Sequence, residues 1–216
     1  MAVPADRVDT PGRTSLSEAL ACWHQQWITG LILGLVQHAG VALAETFVFR
    51  LFRLQQTRSF LPGLAKLGLA GEPAAVAAAK YHYFSNQIGG VRVEYLLESA
   101  RKAWVRYPPP RWIWDGATVC AVPTRVNAAM MRGWHANNGV LLGNLRLGFV
   151  CTGMTTEGDP GLEGYYREFD EELAPGNDCA SPPTKPARLS IRPRCRYSMP
   201  PVGRPSDSQP PIAVTR

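Results

Sequence analysis

GGVRVEYLLESARKAWVRYPPPRW, residues 89–112, is where the apolar pattern of the chain changes its period. Val91, Val93, Tyr95 and Leu97 alternate with Arg92, Glu94, Leu96 and Glu98, and Ala103, Val105 and Tyr107 alternate with Lys102, Trp104 and Arg106. Successive strand side chains point to opposite faces of a sheet, so the two runs read as a β-hairpin with one buried face. Pro108, Pro109 and Pro110 lack the amide hydrogen that a ladder requires, and end it.

Downstream, a helix is expected from Pro123 and Thr124, with Val126, Met130 and Trp134 at four-residue spacing and Met131 and His135 beside them. Asn137, Asn138 and Gly139 tolerate the left-handed conformation of a helix C-cap and should stop it there. LRLGFVCTGM (145–154) and LEGYYREF (162–169) then form a second hairpin around TTEGDPG, rich in turn formers.

Upstream the period is helical. Residues 1–14 show none and are expected to be a flexible N-terminus. Ser15 or Ser17 can cap a first helix, with Glu18 in capping-box spacing from Ser15. Leu16, Leu20, Trp23, Trp27, Leu31 and Leu35 form one stripe of that helix, which should face a partner. Gly30, Gly34 and Gly40 weaken it, and close helix contact is one use of such glycines. Phe47, Leu51 and Leu54 mark a second amphipathic stretch up to Pro62 and Gly63. EPAAVAAAKYHYFSNQ, from Glu72 to Gln87, reads as a third helix with Pro73 in its first turn. Helices, hairpin, helix, hairpin is an α+β order with an antiparallel sheet, and residues 15–176 are expected to form a single domain, mainly helical over 15–87.

Charge narrows the partners. The chain carries a formal net charge of +6. Residues 177–216, however, hold seven cations (Lys185, Arg188, Arg192, Arg194, Arg196, Arg204, Arg216) against Asp178 and Asp207, which leaves the body almost neutral. No nucleic-acid partner is expected for such a body, because it lacks the electrostatic footprint. Nine prolines among those forty residues, without apolar periodicity, predict a disordered Pro/Arg-rich tail. So abrupt a change at Asn177 fits either a true interaction tail or a shifted reading frame.

Cys22, Cys120, Cys151, Cys179 and Cys195 form no CxxC pair, so neither a metal site nor a cofactor is signalled. Their odd count and the lack of a cleavable leader point to the cytoplasm. WITGLILGLV (27–36) is short of the roughly 20 apolar residues of a membrane span, so association with a membrane is not expected. GxGxxG, GxxxxGKS, HExxH and GxSxG are absent.

The candidate site centres on RGWHANNGVLLGN (132–144). His135 falls in the last turn of a helix, where an imidazolium is favoured by the dipole and no further role is required. It also stands beside Trp134, Asn137 and Asn138, an aromatic wall and two amides that could hold a small polar substrate while His135 moves its proton. Cys120, just before the same helix, has the placement of an activated thiol and equally that of a small core residue. Glu94 is a carboxylate either turned into a pocket or lying on a solvated sheet face. Tyr81, His82 and Asn86 form a polar stripe on the third helix, so Tyr81 and Asn86 join the substrate-binding candidates.

YHYFSNQIGG (81–90), VEYLLESARKAWVRYPPPRW (93–112) and MMRGWHANNGVLLGNLRLGFVCTGMTTEGDPGLEGYYREFDEEL (130–173) together resemble bacterial proteins grouped with the L-2-amino-thiazoline-4-carboxylic acid hydrolases. The resemblance implies a hydrolase that opens a small cyclic amidine at a C–N bond to give an N-carbamoyl amino acid. Some members end in a Cys-containing strand after a second glycine-rich turn, and here the Pro/Arg tail stands in its place. Two expectations follow. One is an enzyme acting on a small-molecule substrate through His135, with Cys120 or Glu94 assisting. The other is a non-catalytic ligand-binding or oligomerising module, forming a homo-oligomer through its N-terminal helices.

Overall fold

The computed structural model describes residues 16–108 and 121–174 and the backbone of 179–180, with Ser17 and Glu18 described by backbone alone; all lie within one compact unit, residues 1–186. Helix α1 runs Leu16–Ala39 and α2 runs Val41–Lys66. Between them Gly40 turns the chain at φ 84°, a conformation open to glycine. Then come α3 (Ala74–Ile88), β1 (Glu94–Ser99), β2 (Lys102–Tyr107), α4 (Thr124–His135), the single turn α5 (Asn138–Leu141), β3 (Leu147–Gly153) and β4 (Leu162–Glu168). The α+β architecture is the expected one, helices first and two hairpins around an intervening helix.

Both hairpins join one sheet of order β1-β2-β4-β3, antiparallel throughout, with Ala103 opposite Tyr166 and Val105 opposite Gly164 where the hairpins meet. A two-residue strand, Cys179–Ala180, adds to β3 in parallel, so the chain keeps a ladder just beyond Asn177, where no secondary structure was expected. The rest of the expected tail, the N-terminal 1–14, Ser15 and Cys120 lie outside the described residues.

Three helical expectations need correction. The buried stripe of α2 is Ala44, Val48, Phe52, Gln56, Phe60 and Leu64, while Leu54 is exposed. An alanine and a glutamine on the inner stripe disguise it, and the larger apolar residues beside it compete for the pattern. Secondly, α2 continues through Pro62, whose position on the exposed side costs one helical hydrogen bond without ending the helix. Thirdly, α4 does not stop in a left-handed Asn-Asn-Gly cap: Ala136 and Asn137 stay right-handed and Asn138 opens α5. Gly139 answers to packing instead. A Cβ there would stand 2.5 Å from the Leu147 carbonyl oxygen and 2.8 Å from that of Asn144.

The core lies between the helices and the inner face of the sheet, where Ala103, Val105, Tyr107, Leu162, Tyr166, Phe149 and Cys151 point. α3 packs on β2 and β4, and α2 packs most extensively on α4. The α2–α4 crossing is tight because Gly133 has no side chain; a Cβ would lie 2.7 Å from the Phe49 carbonyl oxygen. Against this body α1 is anchored only by its second half. Thr29 and Ile32 are buried, Ile28, Leu33, Leu35 and Val36 pack on the core, and no described α1 residue before Thr29 is buried.

Candidate functional site

Five elements deliver polar side chains to one point in the core. α2 brings Gln56, α3 brings His82, α4 ends in His135, α5 starts with Asn138, and β4 contributes Tyr166. All are buried, His82 at 0% and His135 at 1% exposure. Gln56 Nε2 donates to Asn138 Oδ1 at 2.5 Å, which orients the amide. Asn138 Nδ2 then faces Tyr166 Oη at 2.8 Å and His82 Nε2 at 3.0 Å. Tyr166 Oη in turn bonds His135 Nδ1.

These contacts assign the His82 proton. Asn138 Nδ2 can only donate, so His82 Nε2 accepts and its ring proton sits on Nδ1. Tyr166 accepts from Asn138 and shares a hydrogen with His135 Nδ1. His82 is therefore a neutral acceptor, and its Nδ1, like His135 Nε2, has no hydrogen-bond partner among the described residues.

Around the polar atoms stand rings. His135 stacks on Phe149 at 4.3 Å and 16°, and His82 lies 4.3 Å from His135. Trp134 meets His82 edge-on at 5.5 Å, and Phe60 stacks on it at 6.5 Å. Burial in this apolar wall pushes His82 down to about 3, and burial together with the neighbouring His82 holds His135 well below its ordinary value. The expected imidazolium at a helix end is thus corrected: desolvation outweighs the attraction of the dipole.

The other candidates are distributed as follows. Asn138 is central. Asn137 sits one layer out, accepting from Arg53 Nη1 at 2.9 Å and donating to Gln56 Oε1 at 3.3 Å. Arg53 also donates to the carbonyl oxygens of Arg132 and Gly133, at 3.0 and 3.2 Å, and so closes the end of α4. Trp134 is half-buried and packs on Phe52. Asn86 is buried but gives its amide to the His82 carbonyl oxygen at 2.7 Å, and Tyr81 is packed edge-on against Phe60, its burial raising the hydroxyl pKa. Glu94 is not brought to this group. It lies on the outer sheet face, paired with Arg106 at 3.4 Å and Arg92 at 3.8 Å.

Sequence reasoning missed Gln56, Tyr166 and Arg53, and treated His82 as part of a helix surface. A signal existed for His82: Ala75, Ala78 or Ala79, His82 and Asn86 share the buried side of α3 at three- and four-residue steps. Among the described residues no cluster of three or more metal-ligating side chains occurs, and no helix is long and apolar enough to cross a membrane.

No family model matches the chain and no curated protein matches it. Among solved structures it is similar to the trafficking protein particle complex subunit 3 from Naegleria fowleri covalently bound to palmitic acid, with TM-score 0.45 and 17% identity, covering 73% of this chain and 97% of that one. The expected hydrolase is corrected: the side chain assigned the proton transfer is buried, held neutral by desolvation and bonded to Tyr166, and the assisting carboxylate lies on the other face of the sheet. A general acid or base working near neutral pH needs a pKa near that pH and access to substrate.

Proposed function

We propose that this chain is a non-catalytic α+β module that works by self-association, with α1 as its contact helix. One observation carries the reading. The stripe that should face a partner is left largely uncovered by the described residues, apart from Leu35, which packs on the core: Leu16, Leu20, Trp23, Trp27 and Leu31 are 76%, 47%, 57%, 57% and 37% exposed. Monomeric proteins rarely leave contiguous apolar patches larger than about 300–600 Å² uncovered, and these five side chains on one helix together expose on the order of 500 Å². The buried His82–Asn138–Tyr166–His135 network supports the same reading as a structural element, since it ties α2, α3, α4, α5 and β4 into a frame that presents α1.

The test is sedimentation velocity on the full chain over a range of concentrations. The expected result is a mass that is a multiple of 23.7 kDa, returning to a single chain in Trp23→Glu/Trp27→Glu with its helical circular dichroism unchanged. Wild-type protein sedimenting as one chain at every concentration would overturn the proposal.

A further inference from the structure

We infer that α1 pairs with α1 of a second copy in antiparallel orientation, Trp27 of each copy packing over Gly30 of the other and Trp23 over Gly34. This rests on the self-association proposed above and specifies its geometry.

The exposed residues follow alternating steps of four and three. Leu16, Leu20, Trp23 and Trp27 are succeeded on the same seam by Gly30 and Gly34. That is the spacing of a two-helix coiled seam, with bulky side chains over its first half and no side chains over its second. The glycines are not explained by packing inside the chain. A Cβ built on either one meets nothing within 4 Å, unlike Gly133, so each is an open notch. Glycine also lowers helix propensity, so two of them inside a helix call for a reason.

Orientation follows from matching sizes. In a parallel pair each residue faces its own copy, so indole would crowd indole and glycine would face glycine across a gap. An antiparallel pair centred between Ile28 and Thr29 brings Trp27 to Gly30 and Trp23 to Gly34, large against small at these two central layers, with Leu20 opposite Gln37 beyond them. That centre lies close to the middle of Leu16–Ala39, so nearly the whole of both helices overlaps. From the exposures of the five apolar residues, each copy would contribute on the order of 500 Å², and the pair on the order of 1,000 Å², the lower bound for a biological interface. An anionic membrane surface fits α1 less well, because the helix carries no lysine or arginine to meet it.

The test fills the notches. Gly30→Leu/Gly34→Leu raises helix propensity, so folding is kept, while the added side chains occupy the space meant for the indoles. The dimer dissociation constant of the full chain is expected to rise at least tenfold. Oxidation of a mixture of Trp27→Cys and Gly30→Cys chains should give a 27–30 cross-link identifiable by mass spectrometry. A tighter dimer on filling, with 27–27 and 30–30 links, would overturn the antiparallel register while leaving self-association intact. Wild-type protein that stays monomeric, or a dimer indifferent to Trp23→Glu/Trp27→Glu, would remove the reading on which it rests. Wild-type co-sedimentation with phosphatidylserine-containing vesicles, lost in Trp23→Glu/Trp27→Glu without any dimer at all, would replace the second copy by a lipid surface.

Discussion

The His82 and His135 rings lie 4.3 Å apart between their centroids, both fully enclosed, and each has one nitrogen hydrogen-bonded, His82 Nε2 to Asn138 and His135 Nδ1 to Tyr166. The groups packed on them are Phe60 from α2, Tyr81 from α3, Trp134 from α4, Asn138 from α5, Phe149 from β3 and Tyr166 from β4. No carboxylate is among these neighbours. A proton added to His82 Nε2 would point at the Asn138 amide hydrogens.

Acid should therefore unfold this protein early and steeply. Both folded-state values are depressed below the unfolded value of about 6.5, so the folded state holds fewer protons than the unfolded one below that pH. The stability conferred by the neutral pair is fully present above about pH 6.5 and drains away as pH falls toward about 3. Two groups give a slope approaching about 2.7 kcal/mol per pH unit. Urea midpoints measured from pH 7.5 to 4.5 should show it, and His135→Phe should roughly halve it. A midpoint unchanged between pH 7 and 5 would mean that the imidazoles already reach water.

How much of this could be read in advance depends on which residues carried a local signal. The α+β order was legible because each hairpin alternates cleanly and TTEGDPG and PPPRW punctuate them. Joining the hairpins through Ala103 and Tyr166 was not, because that pairing is made between residues 63 positions apart and no local rule encodes it. The neighbourhood of His135 was found, but not its state. Its enclosure depends on Phe149 and His82, which approach from other elements, and on Gly164, beside which the Phe149 ring fits. Gln56 stayed hidden because a glutamine interrupts an apolar stripe and reads as surface. The α1 stripe was legible as an apolar row, but not that its first half, Leu16 to Trp27, lies exposed while Leu35 packs on the core, since spacing alone does not say what covers a helix face.

Tyr166→Phe should cost about 1–3 kcal/mol, although it removes one atom. The hydroxyl bonds both Asn138 Nδ2 and His135 Nδ1, so its loss strands two buried polar atoms rather than one. The phenyl ring still fills the space between Phe149 and the sheet, which keeps cavity formation out of the comparison. Equilibrium urea unfolding at pH 7.5 measures the difference. A change under about 0.5 kcal/mol would mean that the amide and imidazole find replacement partners.

Gly133→Ala tests the crossing of α2 and α4 that holds His135 in place. In an isolated helix the change would be stabilising by about 1 kcal/mol, because alanine is the better helix former. Here the added Cβ would stand 2.7 Å from the Phe49 carbonyl oxygen, 3.0 Å from Phe52 Cβ and 3.1 Å from the Arg53 backbone nitrogen. Two of those three atoms are backbone, so no rotamer change relieves the contact and α2 itself has to move. Displacing α2 stretches the Arg53 bonds to Arg132 and Gly133 and the Gln56 bond to Asn138, which start from the same helix. Overpacking of this kind costs about 1–3 kcal/mol and outweighs the propensity gain. The expected outcome is a Tm lower by several degrees, at about 2–4 °C per kcal/mol for a chain of this size. A Tm that rises instead would show that α2 and α4 stand farther apart than this geometry places them.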